Sequence, residues 1–102
     1  AWAADERPRE KLLERGAAAL TDAELLALIL GSGTRELSAV GLARELLRAH
    51  GGLAHLARKS VQELQQLRGI GEAKAIAVHA AFELARRRER YDARDINLLD
   101  AA

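Results

Sequence analysis

Residues 64 to 78 read Leu-Gln-Gln-Leu-Arg-Gly-Ile-Gly-Glu-Ala-Lys-Ala-Ile-Ala-Val, and this run combines residue types that suggest chemistry. Gly69 and Gly71 bracket Ile70, Lys74 follows three residues later, and Leu64, Leu67, Ala75 and Val78 flank the turn at helical spacing. Two glycines let the backbone turn sharply and approach another surface with no Cβ in the way. Ile70 is the plug that holds such a turn against its helices, and Ala75 is small where the second helix crosses the first. A helix that starts just after the turn presents N–H groups its own carbonyls cannot reach, and these attract an oxyanion. Lys74, one turn into that helix, adds a full positive charge to a phosphate contact; Arg68 is expected as a flanking contact, and Glu72 works slightly against them.

Other chemistries have little to draw on. The chain has no Cys, which removes disulfides, a thiolate nucleophile and Cys-containing zinc sites. His50, His55 and His79 are isolated from one another, a poor start for any other metal site. Thr21 and Ser60 have no base placed beside them by sequence, and helix capping accounts for both. No enzyme activity and no cofactor are expected.

The elements that position the run are helices. Among 102 residues there are 22 Ala and 18 Leu against 3 Val, 4 Ile and 3 aromatics, a mix that favours helices over strands and fits one domain of close-packed antiparallel helices. Pro8 suits the first turn of a helix running to about Arg15 and stopped by Gly16. Thr21-Asp22-Ala23-Glu24 and Ser60-Val61-Gln62-Glu63 are capping boxes, each opening a helix. The first of these helices carries Leu25, Leu26, Leu28, Ile29 and Leu30, apolar over most of its circumference, and is expected to be central. Ser38 caps a third helix with Val40, Ala43, Leu46 and Leu47 at helical spacing, ended by Gly51-Gly52. A short helix spans Leu53 to Arg58, and Val61, Leu64 and Leu67 face inward from the next. The longest helix is expected from Glu72 to about Arg90, with Ala73, Ile76, Ala77, Ala80 and Leu84 on one apolar stripe. The run Arg86-Arg87-Arg88 and Arg90 then sits at its end, where cations suit the helix dipole. His79 lies off the stripe and reads as a partly exposed helix residue.

This divides the chain into an extended or disordered N-terminus over residues 1–7, a helical domain over 8–90, and a linker or cut end over 91–102. No stretch is long and apolar enough to span a bilayer, since Leu25 to Leu30 is the most apolar; a cytoplasmic protein with no membrane partner is expected. The formal net charge of +1 is a cancellation, because residues 44–90 sum to +5 while residues 1–43 and 91–102 sum to −2 each. The positive part coincides with the Gly-Ile-Gly turn.

An internal echo sharpens the architecture. Thr21-x-x-Glu24-Leu25-x-x-Leu28 recurs 39 residues later as Ser60-x-x-Glu63-Leu64-x-x-Leu67, and each copy runs into a Gly-x-Gly turn and a further helix. The first turn, Gly31-Ser32-Gly33-Thr34, has Ser32 where the second has Ile70, and it reads as a degenerate, structural partner.

The segment from Leu64 to Val78 resembles the helix-hairpin-helix motif of nucleic-acid-binding proteins, whose hairpin amides and a nearby cation hold the sugar-phosphate backbone without reading bases. Together with Arg7-Pro8-Arg9-Glu10-Lys11-Leu12-Leu13, Leu20 to Ala27, the Gly31-Ser32-Gly33-Thr34 turn and Ser38-Ala39-Val40, the chain resembles the N-terminal region of the RadC family (UPF0758) over roughly Glu6 to Arg90. The resemblance implies an all-α fold of five or six short helices in a double helix-hairpin-helix-like (SAM-like, RuvA domain 2-like) orthogonal bundle, in a bacterial protein with a DNA-repair name. It implies DNA as partner, through Gly69, Ile70, Gly71, Lys74 and Arg68. In that family the region precedes a JAB/MPN-type metalloprotease-like domain with a Glu, His-x-His and Asp metal set; no His-x-His occurs here, so none of those residues is carried over. Docking on that domain, or on another protein, is the alternative role.

Overall fold

A computed structural model of the chain describes residues 7–101, with side-chain surroundings through residue 92. Six α-helices follow one another, and no strand occurs among the described residues: α1 (Arg7–Arg15), α2 (Asp22–Leu30), α3 (Ala39–Ala49), α4 (Leu53–Leu56), α5 (Val61–Leu64) and α6 (Glu72–Ala101), with a 3₁₀ turn at Ala17–Ala19. The all-α expectation holds. Of the N-terminal segment expected over residues 1–7, only Arg7 is described, and it opens α1.

The helix starts follow the capping chemistry. Thr21 Oγ1 accepts from Glu24 N–H at 3.2 Å while Glu24 Oε1 accepts from Thr21 N–H at 3.0 Å. Ser60 and Glu63 repeat the exchange at 3.1 and 3.0 Å, and Ser38 Oγ accepts from Gly41 N–H at 3.1 Å. These bonds satisfy donors that a helix start leaves over.

The core is built by Leu26, Ala27 and Leu30 from α2, Leu42, Ala43 and Leu46 from α3, Leu56 from α4, Leu64 from α5, Ile70 from the turn, and Ala75 and Val78 from α6. The helix α2 packs on α1, α3 and α6, which makes it central as expected. It is not buried all round, for Leu25 and Ile29 are exposed on its remaining side.

Two expectations about α6 fail. The stripe Ala73, Ile76, Ala80 and Leu84 does not face the core: all four are exposed, Ile76 to 50% and Leu84 to 68%. The buried line is Ala75 and Val78, continued by half-buried Phe82. An Ala-rich helix carries apolar residues on two sides, and periodicity alone does not say which side the turn before it presses inward. Nor does α6 stop near Arg90; it continues to Ala101. Past Phe82 the inward positions pass to residues such as Arg86 and Glu89, so packing ends there and the helix goes on without it. The arginine run is therefore mid-helix, and i, i+3 and i, i+4 pairing replaces the dipole explanation: Arg86 and Arg87 reach Glu83 at 2.6 and 2.8 Å, Arg88 reaches Asp92 at 3.6 Å. Hydrogen bonds from Arg86 and Arg87 hold the Glu83 carboxyl down to about 2.

The capping carboxylates set an acid limit. Glu24 is held below its ordinary value first by the Thr21 backbone N–H and then by Lys11, whose Nζ lies 3.0 Å away; Glu63 is lowered by the Ser60 backbone N–H and hydroxyl. A carboxyl depressed on folding stabilises the native state above its unfolded value, about 4.3 for Glu, and that stabilisation is lost as pH falls through the depressed value. Melting temperature by circular dichroism is expected to hold above about pH 4.5 and fall below it. In the double variant Glu24→Gln, Glu63→Gln the fall should be shallower, because Gln caps without titrating; equal slopes in the two proteins would contradict the assignment.

Candidate nucleic-acid interface

The two Gly-x-Gly turns meet on one side of the domain. Gly69 takes φ +99°, and a Cβ there would stand 2.7 Å from Thr34 Cγ2 and 3.1 Å from Leu42 Cδ1. The second turn thus lies directly on the first turn and on α3. Ile70 is buried at 3% exposure, the plug its spacing predicts, and its N–H donates to Leu67 O at 3.0 Å.

The first turn is built for contact within the fold. A Cβ on Gly33 would fall 2.1 Å from Leu37 O, a space only hydrogen fits. Thr34 N–H donates to that same oxygen at 2.8 Å, and Thr34 Oγ1 accepts from Glu36 and Leu37 N–H at 3.2 and 3.1 Å.

Gly71 differs from both Gly33 and Gly69. Nothing lies within 4 Å of where its Cβ would stand, and its φ is ordinary. No neighbour inside the domain explains the missing side chain. The turn then passes into α6, where Ala75 N–H is the first to reach back, donating to Gly71 O at 3.0 Å. The N–H groups of Glu72, Ala73 and Lys74 precede that bond and are the surplus donors of the helix start.

Lys74 stands at the third position of α6, where α2 and α5 carry the carboxylates Glu24 and Glu63. A cation there is opposed by the helix dipole. Lys74 Nζ instead crosses to the first turn and donates to Ser32 Oγ at 2.9 Å, joining residues 42 apart in sequence. One ammonium hydrogen is engaged and the exposed Ser32 leaves the group at the surface. Lys74, Gly71 and the start of α6 therefore share one open edge.

Arg68 is exposed. It lines a hollow of about 530 Å³ with Gly69, Thr34, Glu36, Leu37, Glu45 and Leu67, where two carboxylates oppose a phosphate. His79 Nδ1 lies 3.1 Å from Lys59 O, so the ring donates to that carbonyl and ties α6 to the segment before α5. No group of three or more His, Cys, Asp or Glu suited to a metal occurs among the described residues.

The sequence reading missed Ser32 and Thr34 as neighbours of the second turn. The signal for them was the internal echo, since pairing two similar units brings equivalent turns side by side.

A family model described as UPF0758 N-terminal matches residues 1–76. The UPF0758 protein of Trichlorobacter lovleyi is 53% identical over 102 residues, covering 97% of this chain and 43% of that protein. A UPF0758 protein of Xanthomonas campestris is 55% identical over 86 residues, 84% of this chain and 38% of its own length. That of Flavobacterium johnsoniae is 47% identical over 91 residues, 89% of this chain and 40% of its own. The chain spans about two-fifths of the length of these curated relatives. No solved structure matches it.

Proposed function

The chain belongs to the UPF0758 N-terminal family, and on that premise we propose that it is a module that holds the sugar-phosphate backbone of DNA without reading bases. The observation that carries this reading is the shared edge of Gly71, the α6 start and Lys74. A backbone approachable from outside, surplus N–H donors and a cation set against its own helix dipole are three oddities that one phosphate resolves together. Gly69 and Ile70 shape the turn that presents the donors, and Arg68 contributes only general charge. The role of the whole protein in DNA repair is a further part of the same proposal.

Two variants test it by titration of a labelled duplex at several salt concentrations. The parent chain is expected to bind with a dissociation constant on the order of 10⁻⁴–10⁻⁶ M at physiological salt. Lys74→Ala should weaken binding and reduce the salt slope by roughly one. Gly71→Ser should weaken binding with no loss of stability, because Ser is at least as good a helix cap as Gly and its hydroxyl takes up donors the phosphate needs. Binding indifferent to salt, or unchanged in both variants, would overturn the reading.

A further inference from the structure

The helix α6 has a second apolar face that the domain leaves unused. Ile76, Leu84 and Tyr91 are 50%, 68% and 48% exposed, and Ala73, Ala77 and Ala80 lie in line with them. At about 100° per residue these six project within one arc of the helix, roughly opposite buried Ala75 and Val78. Scattered exposed apolar residues are ordinary, but a helical row of them marks a contact surface.

We propose that this face is a self-association surface, covered by α6 of a second copy of the chain lying antiparallel to the first. The small residues permit close approach of two helix axes, and a pair centred on Ala80 sets Leu84 of each copy against Ile76 of the other. Charge fixes the direction. Arg87 projects within the same arc, and Glu72 at the start of α6 and Arg90 farther along project from one edge of it. Among the described residues Glu72 has no ion pair, Arg87 is held by Glu83, and Arg90 stands 5.7 Å from the Tyr91 ring centroid. An antiparallel pair lays Arg87 of one copy beside Glu72 of the other, twice over; a parallel pair stacks Arg87 on Arg87. The two domain bodies, each packed on the opposite side of its α6, then point away from each other. Lys74 itself lies off the stripe.

Six residues a side fall well short of the roughly 20–30 of a standard interface, so association should be weak and concentration-dependent. Sedimentation equilibrium over about a hundredfold range of concentration should show the mass rising from 11.1 kDa toward twice that value. Leu84→Glu should hold the chain at the lower mass with unchanged helical circular dichroism. Glu72→Arg should weaken association, and adding Arg87→Glu should restore it. A chain monomeric at every concentration overturns the proposal, as does a dimer indifferent to Leu84→Glu or a double variant without rescue. A monomer that instead binds the remaining part of the Trichlorobacter lovleyi relative through Ile76 and Leu84 also overturns it, naming that part as the occupant.

Discussion

Gly69→Ala is expected to destabilise the domain by about 2–4 kcal/mol, read from the midpoint of urea unfolding at constant slope. Two costs combine. At φ +99° a Cβ is strained by roughly 1–2 kcal/mol whatever the space around it. The space is also taken, by Thr34 Cγ2 at 2.7 Å and Leu42 Cδ1 at 3.1 Å. Neither neighbour gives way easily, since Thr34 is pinned by the hydrogen bonds of its own turn and Leu42 is fully buried. Against a total stability of roughly 5–15 kcal/mol this is a large fraction. Gly71→Ala is the control: its φ is ordinary and its surroundings empty, so only the poorer cap is lost, about 1 kcal/mol or less. Equal costs at the two positions would show that the glycines do not divide their work between fold and surface.

That division marks the limit of what the sequence tells. Local chemistry was legible: Thr21 with Glu24, Ser60 with Glu63 and the Ser38 cap act within four residues and need no knowledge of the fold. The motif spacing also gave Ile70, Ala75 and Val78 their buried places. The stripe expected through Ile76 and Leu84 fails on the same helix, because the turn orients α6 and periodicity does not. Contacts between the units were out of reach. Lys74 on Ser32 and Gly69 on Thr34 depend on how two hairpins pack, so a side chain assigned by spacing to an external phosphate proved also to join the two turns. The end of α6 was misplaced because apolar periodicity reports packing, whereas continuation of a helix needs only good helix formers and pairs such as Arg86 with Glu83.

Leu64→Ala is expected to cost about 3–4 kcal/mol, within the 2–5 kcal/mol range for a buried leucine, each kcal/mol lowering the melting temperature by roughly 4–8 °C. The cost falls at the high side because this leucine anchors a whole segment of the chain. Helix α5 is four residues long, too short to persist by its own hydrogen bonds, and its place depends on the Ser60–Glu63 box at one end and fully buried Leu64 at the other. Removing the leucine opens a cavity in the core where α5 packs on α6 and loosens the chain that leads into Gly69. Hydrogen exchange at Ile70 N–H, which donates to Leu67 O at 3.0 Å, should quicken more than exchange within α2. Leu13→Ala, on α1 and 82% exposed, should cost less than about 1 kcal/mol. The comparison also separates fold from site. Leu64→Ala should lose DNA binding in step with unfolding and regain it on cooling, whereas Lys74→Ala should lose binding at full stability. If the two variants lose binding alike at low temperature, the buried leucine and the surface lysine act through the same structural change, and the phosphate edge is not an independent site.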